Sequence, residues 1–476
     1  MSRYFVNYDD YIAIVHYFAE KRVLAGVKDK IARALARSFN WEIEFFSKTG
    51  KKVEKKGEKV QELGEKAMSD VLPKTRKGES EIRTHTFSYQ NIYIWDGTNG
   101  EDLAEMLRSK GYTVWGGGLK AGMLEKDRIN AKRVFEKLGI PTPAYEVAED
   151  VDELIRVLRG VGDREVVLKS NYNLVPTYIG TGEELLDIVE ENSEVFVKGK
   201  GFVVEEKKVG KEISCERYLR VRDTFGETEC IEGMINFTIE AKKFLAGDYG
   251  IQTGAEFNLV FPLTEVENFA LYTKNPQKVR RVLYKIAEYL YRTEQLSDVE
   301  ILDINFIVDF ENERVWALEF TPRIGYPGSI TFAHLLHNNS TSWDSAIVEG
   351  KVGKLKGYSF GVRVSVPPYP YKRKQEDKDE DKNGKDLDFV DTEIEIEMLE
   401  DGKVRFAVDG LEWDDEDGCW YVMNTNLGVV NSYSQSISDD LFDRAYGFIK
   451  ENIKGVIQVR VDGKEWLLNW LRGVIE

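Results

Sequence analysis

Ile301-Leu302-Asp303-Ile304-Asn305-Phe306-Ile307-Val308 and, after a polar turn, Arg314-Val315-Trp316-Ala317-Leu318-Glu319-Phe320-Thr321-Pro322-Arg323 form the stretch on which the fold reading turns. A period of two puts Leu302, Ile304, Phe306 and Val308 on one face of the first strand, and Asp303 and Asn305 on the other. On the second strand Glu319, Thr321 and Arg323 share a face. With the turn at 309–313, antiparallel pairing brings Glu319 beside Asp303 or Asn305. Oxygen ligands and a guanidinium on one sheet face suit a Mg²⁺-phosphate site, since Mg²⁺ takes carboxylate oxygens together with substrate phosphates. An amphipathic hairpin whose polar face meets water has the same pattern, and spacing alone does not separate the two.

Two flanking runs extend the reading. Glu165-Val166-Val167-Leu168-Lys169 ends an apolar strand on a lysine, which either reaches a phosphate as a point charge or is simply solvated. Phe202-Val203-Val204-Glu205-Glu206 leads to paired carboxylates, and a further strand follows over 212–220. Upstream, strands at 91–95 and 112–115 bracket a helix at 101–110 as one βαβ unit. Ala131, Val134, Phe135 and Leu138 recur at helical spacing, predicting a helix over 126–138 stopped by Gly139 and Pro141. Asp150 and Glu153 form a capping pair ahead of the next helix. A helix at 278–293, a strand-rich region after 357 and a helix at 439–451 complete a mixed α/β chain without internal repeats. His334 and His337 stand three apart on a helix as a core or surface pair, and Trp95, Trp115 and Trp316 lie in apolar strands.

Composition bounds the function. At 476 residues and about 150 per domain, three domains are expected. A charge of −17 argues against general nucleic-acid or anionic-lipid binding. No apolar run approaches the ~18 residues that span a bilayer, and acids interrupt the first ten residues where a signal peptide would be apolar. Cys215, Cys230 and Cys419 have neither metal-ligand spacing nor the density of a disulfide scaffold. The expectation is a soluble, cytoplasmic protein. Residues 48–66 read as a solvated lysine–glutamate segment, and 372–386 as a charge-balanced surface insertion.

In order, these pieces resemble the ATP-grasp superfamily and, within it, the phosphoribosylamine–glycine ligases, from about residue 90 to 350 with fainter echoes to about 463. Leu124-Glu125-Lys126-Asp127 through Leu138-Gly139-Ile140-Pro141-Thr142-Pro143 is similar to the helix before that family's ATP-binding subdomain. Lys242-Lys243 with Gly247-Asp248-Tyr249-Gly250-Ile251-Gln252-Thr253-Gly254 resembles its Lys…Gly-Asp-x-Gly-x-x-Thr-Gly segment. Glu319 to Pro327 resembles its Glu-x-Asn-x-Arg-Phe-Gly-Asp-Pro-Glu signature. Asn426–Val430 and Asp443–Tyr446 echo its small final domain. Thr321 stands where that family has a metal-ligating Asn, and Tyr326 and Gly328 replace its Asp and Glu. Ser170–Pro176 lacks the glycines of its phosphate loop, and residues 1–90 lack its opening strand-loop-helix.

The resemblance implies an α/β (α+β) chain: a pre-grasp domain over 1–120, an ATP-grasp domain over 121–350 with a nucleotide subdomain at about 140–210, and a β-rich domain over 351–476. It implies ATP with Mg²⁺ or Mn²⁺, and ligation of a small carboxylate (glycine or another amino acid) to an amine acceptor (phosphoribosylamine or a relative) through an acyl phosphate. Lys169 then serves the ATP phosphates, and Glu205, Glu206 and Glu212 the base and ribose. Glu319, Asn305 and Thr321, with Asp303, hold the metal. Arg323 stabilises the transferring phosphoryl, and Lys243 and Asp248 orient the acceptor. The phenol of Tyr326 points to an acceptor different from the family's usual one. A nucleotide-binding relative without chemistry is the alternative.

Overall fold

The computed structural model describes, with short gaps, residues 117–262, 285–341, 355–370, 393–422 and 425–472, together with six strands before residue 116. The charged segments 48–66 and 372–386, the expected helix at 101–110, the first part of that at 278–293, and Tyr326 lie outside the described residues. The six early strands pair in the order Trp41–Ser47, Tyr11–Tyr17, Glu20–Ala25, Tyr4–Val6, Asn91–Ile94, Thr113–Trp115. The last two are parallel, as a βαβ unit requires.

The chain gathers into two compact units with interleaved segments: Gly118–Glu232 with Glu267–Pro322 and Gly473–Glu476 in one, and Met1–Gly117, Gly233–Val266 and Arg323–Arg472 in the other. In the first, an antiparallel sheet runs in the order Tyr145–Ala148, Phe202–Glu206, Val166–Ser170, Tyr178–Gly180. Phe202 lies opposite Ser170 and Val204 opposite Leu168, so Val166, Leu168, Phe202 and Val204 share an apolar face. Leu154, Leu158 and Val161 of helix Val151–Val161 and Leu185 and Val189 of helix Gly182–Glu191 bury against it. Asp150 caps the former by accepting the Glu153 N–H, while the Glu153 carboxylate accepts the Glu149 N–H. Where these helices meet, a Cβ on Gly182 would stand 2.3 Å from the Leu158 carbonyl oxygen, so only glycine fits.

The other face of this sheet carries Val203, Glu205, Val167 and Lys169. In the same unit the strands Lys211–Thr224, Val299–Asp309 and Arg314–Phe320 form an antiparallel set. The expected helix at 126–138 forms as Arg128–Lys137, capped by Asp127, which accepts the Asn130 N–H, and a separate helix, Leu119–Lys126, precedes it. Phe135 stacks on Phe320 at 4.4 Å, and the Ala317 N–H donates to the Pro141 carbonyl, fastening this helix to the hairpin.

In the second unit, Tyr249–Pro262, Tyr358–Ser365, Asn426–Ser434 and Val404–Val408 pair antiparallel in that order beyond the paired half of Glu227–Leu245. Ser359 on one face meets His334 of helix Gly328–Asn338; Phe360 on the other meets Phe442 of helix Asp439–Asn452. His334 is fully enclosed, and burial lowers its pKa to about 3. Among the described residues no helix is long and apolar enough to cross a membrane.

Candidate functional site

Strand alternation splits the expected Glu205–Glu206 pair. Glu206 is exposed and pairs with Lys208 at 2.6 Å. Glu205 is only 2% exposed, and its carboxylate lies between two ammonium groups, Lys132 at 2.6 Å and Lys169 at 2.8 Å. The Glu205 side chain, expected at the base and ribose, thus stands as a buried counter-ion to both lysines. Burial pushes its pKa up, but the two lysines outweigh this and hold it below the ordinary carboxylate value.

Lys169 is buried rather than solvated, on the face shared with Glu205 and 3.5 Å from Glu319 of the hairpin. Burial opposes its charge, yet Glu205 and Glu319 together raise its pKa above the usual lysine value. Lys132 has Glu205 and the Thr142 hydroxyl for partners and the like charge of Lys169 nearby, so burial prevails and lowers it to about 8. Arg128, at the start of its helix, pairs with Glu319 as well. The result is a chain of alternating charge, Lys132–Glu205–Lys169–Glu319–Arg128. Arg128 and Lys132 were not singled out from sequence, although their i, i+4 spacing on one helix was legible.

The hairpin adopts the expected pairing with a refinement. Asn305 lies opposite Glu319 and Ile304 opposite Phe320, after which a bulge brings Ala317 opposite Phe306. Strand Lys211–Thr224 places Ser214 opposite Asn305 and Glu216 opposite Asp303. One face thus carries Ser214, Glu216, Asp303, Asn305, Glu319 and Thr321, with Glu212 further along and half-buried. Asp303 accepts hydroxyl hydrogens from Ser214 and Thr321, each at 2.5 Å. Thr321 therefore holds Asp303 in place with its hydroxyl.

The side-chain donors on this face are carboxylates, hydroxyls and one amide, an all-oxygen set suited to Mg²⁺ or Mn²⁺ rather than to a softer metal. Among the described residues no group of three or more His, Cys, Asp and Glu side chains is already gathered as a metal nest. Beside this face the Arg128 and Lys169 cations supply the charge that phosphate oxygens need. The donor chemistry fits a metal-bound polyphosphate.

The segment after Lys169 makes its turn without glycine. The Val175 N–H donates to the Ser170 hydroxyl at 3.0 Å, and Tyr172 takes φ +59° with its ring exposed. Asn171 is buried: its N–H donates to the Gly201 carbonyl and its Nδ2 to Asp127. Gly201, at φ +81°, leaves room for that amide, since a Cβ there would lie 2.7 Å from Asn171 Nδ2.

Of the acceptor-side residues, Lys243 stands in a strand opposite Gln252, and Arg323 follows the hairpin, half-buried. Asp248 is engaged within the protein. Its two oxygens accept from Arg460 Nη2 at 3.0 Å and Trp466 Nε1 at 2.6 Å. Lys243, Asp248 and Arg323 belong to the second unit, and the charge chain to the first.

No family model matches the sequence. The chain is 23% identical over 263 residues to the phosphoribosylamine–glycine ligase of Caldanaerobacter subterraneus subsp. tengcongensis, covering 54% of this chain and 59% of that enzyme. The match thus spans less than two thirds of the relative. Among solved structures, the phosphoribosylamine–glycine ligase of Thermotoga maritima superposes with a TM-score of 0.55 at 19% identity, covering 81% of this chain and 88% of that one. The biotin carboxylase domain of Hydrogenobacter thermophilus 2-oxoglutarate carboxylase, with MgADP and bicarbonate, gives 0.51 at 15% identity over 79% and 78%.

Proposed function

From the premise of an ATP-grasp fold resembling that of phosphoribosylamine–glycine ligases, we propose that this chain is an ATP-dependent carboxylate–amine ligase of the cytoplasm. In such a reaction a carboxylate oxygen attacks the γ-phosphorus of ATP and ADP leaves. The amine then attacks the acyl carbon, inorganic phosphate departs, and the amine gives up a proton. The observation that carries this reading is the charge chain: two cations, Lys169 and Arg128, gathered on Glu319 beside an all-oxygen sheet face.

Lys169 and Arg128 bind and orient the phosphates, exchanging the Glu319 carboxylate for phosphate oxygens. Glu205 keeps Lys169 charged and aimed, while Lys132 holds the other oxygen of Glu205. Glu319, Asn305 and Asp303 hold the metal, with Thr321 fixing Asp303. When bound, Mg²⁺ supplies charge neutralisation across the phosphates. Glu206 and Glu212 are the remaining carboxylates for base and ribose, and Lys243 and Arg323 serve the acceptor and the transferring phosphoryl by the resemblance. Glycine or another amino acid is the carboxylate, and the acceptor is an amine related to phosphoribosylamine.

The test is Mg²⁺-dependent ADP release across a matrix of amino acids and amines that includes phosphoribosylamine with glycine. Glu319→Gln removes most turnover and leaves the fold intact. Full activity in that variant refutes the assignment. ATP binding without ADP release under any pair would favour a nucleotide-binding relative without chemistry.

A further inference from the structure

The hairpin tip between strands Glu227–Leu245 and Tyr249–Pro262 is built in an unusual way for a surface turn. Gly247, Asp248 and Gly250 all take positive φ, at +70°, +61° and +80°. Asp248 does so with a side chain, a conformation that persists only where its surroundings over-determine it. The pairing register also shifts twice, between Ala241 and Lys243 and between Lys243 and Leu245. Bulges of this kind re-aim side chains.

The restraint comes from more than two hundred residues away. Arg460, whose side chain is fully buried, donates from Nη1 to the Lys243 carbonyl at 2.8 Å and from Nη2 to Asp248 Oδ1 at 3.0 Å. Trp466 Nε1 donates to Asp248 Oδ2 at 2.6 Å. Asp462 accepts from Arg460 Nε and, on its other oxygen, from the Gly247 N–H at 2.7 Å. Phe257 underlies the assembly, 4.9 Å from the guanidinium and edge-on to Trp466 at 5.4 Å. Burial pushes the Asp462 carboxyl up, but Arg460 and the Gly247 N–H outweigh it and hold it below the usual range. A plain surface turn needs no buried arginine, so the investment is in the shape of this segment.

We infer that Arg460, Asp462 and Trp466 are positioning residues that clasp the segment Lys243–Gly250 in its strained form, with Asp248 as the anchor they grip. The inference rests on the ligase reading for its functional consequence: the clasp sets where Lys243 stands for the acceptor. Asp248 acts through this grip and makes no contact with substrate.

The test uses the full chain and the variants Trp466→Phe, Asp248→Asn and their double. Amide exchange is followed in residues 244–252, alongside acceptor-dependent ADP release. Loss of one charge-assisted hydrogen bond should speed exchange there about tenfold in either single variant. The double variant should exchange no faster than the faster single, because both act on one clasp. Acceptor kcat/KM should fall about as much in both singles, with the KM for ATP unchanged. Asp248→Asn abolishing acceptor-dependent turnover while exchange stays at the wild-type rate would overturn the inference, as would additive effects in the double. If wild type releases no ADP with any pair, the ligase reading fails, and the exchange rates still decide whether the clasp exists.

Discussion

Replacing Glu205 by Gln removes the one carboxylate shared by two buried lysines. Lys169 keeps Glu319 at 3.5 Å, whereas Lys132 keeps only the Thr142 hydroxyl among its described side-chain partners, together with the repulsion of Lys169. At 2.6 Å the lost Lys132–Glu205 attraction is about 6 kcal/mol at an effective dielectric of ~20, a gross figure. Part is recovered because Lys132, already lowered to about 8 with Glu205 present, sheds its proton more readily once Glu205 is neutral. Breaking a buried pair from one side costs about 3–5 kcal/mol. For a unit of this size that is a Tm decrease of about 10 °C.

The pH dependence has a definite sign. A lysine whose folded pKa lies below its unfolded value of 10.5 destabilises the fold at low pH, and the penalty is relieved as pH rises through the folded pKa toward the unfolded one. In Glu205→Gln the folded pKa of Lys132 falls further, each unit adding ~1.4 kcal/mol of penalty at neutral pH. The deficit against wild type should therefore be larger at pH 7 than at pH 9. Thermal and urea unfolding of both proteins at the two pH values measures it. A deficit under about 1 kcal/mol, or one that widens with pH, would refute the reasoning, since breaking a buried pair is expected to cost several times that.

Lys169→Met should weaken ATP binding by about ten- to a hundredfold, the worth of a charge-assisted contact, as read by titration calorimetry. His334, held at about 3, opposes folding increasingly as pH falls below its unfolded value of 6.5, so His334→Gln should flatten the acid limb of the stability curve between pH 6.5 and 4. Asp150→Ala should cost about 1 kcal/mol of unfolding free energy through loss of the helix cap, with ATP binding unchanged.

What could be read from the residues was what depends on short-range periodicity. The pairing of Asn305 with Glu319, the Asp150 cap and the strands around Lys169 and Glu205 follow from alternation and local hydrogen bonding. The helix at 128–137 was legible from Ala131, Val134 and Phe135 at helical spacing, whereas the cap that starts it depends on one hydrogen bond, accepted by Asp127 from the Asn130 N–H. The burial of Glu205 between Lys132 and Lys169 was not legible, because ion pairs joining residues 132, 169 and 205 leave no mark in any local window. The contacts of Asp248 were hidden for the same reason. A motif names the residue, and only the fold reveals that Arg460 and Trp466 occupy its oxygens.

The clasp on Asp248 also has a consequence for synthesis. Arg460 follows Asp248 by 212 residues and Trp466 by 218. At ~5–20 residues per second, a nascent chain displaying the Lys243–Gly250 hairpin waits roughly 10–40 s before the groups that hold its tip leave the ribosome. Through that interval Leu245, Tyr249 and Ile251, exposed even in the finished protein, stand on a turn that has not yet been drawn into its positive-φ form. During translation this hairpin therefore shows exposed apolar side chains before its clasp is made, and its final geometry waits on Arg460 and Trp466.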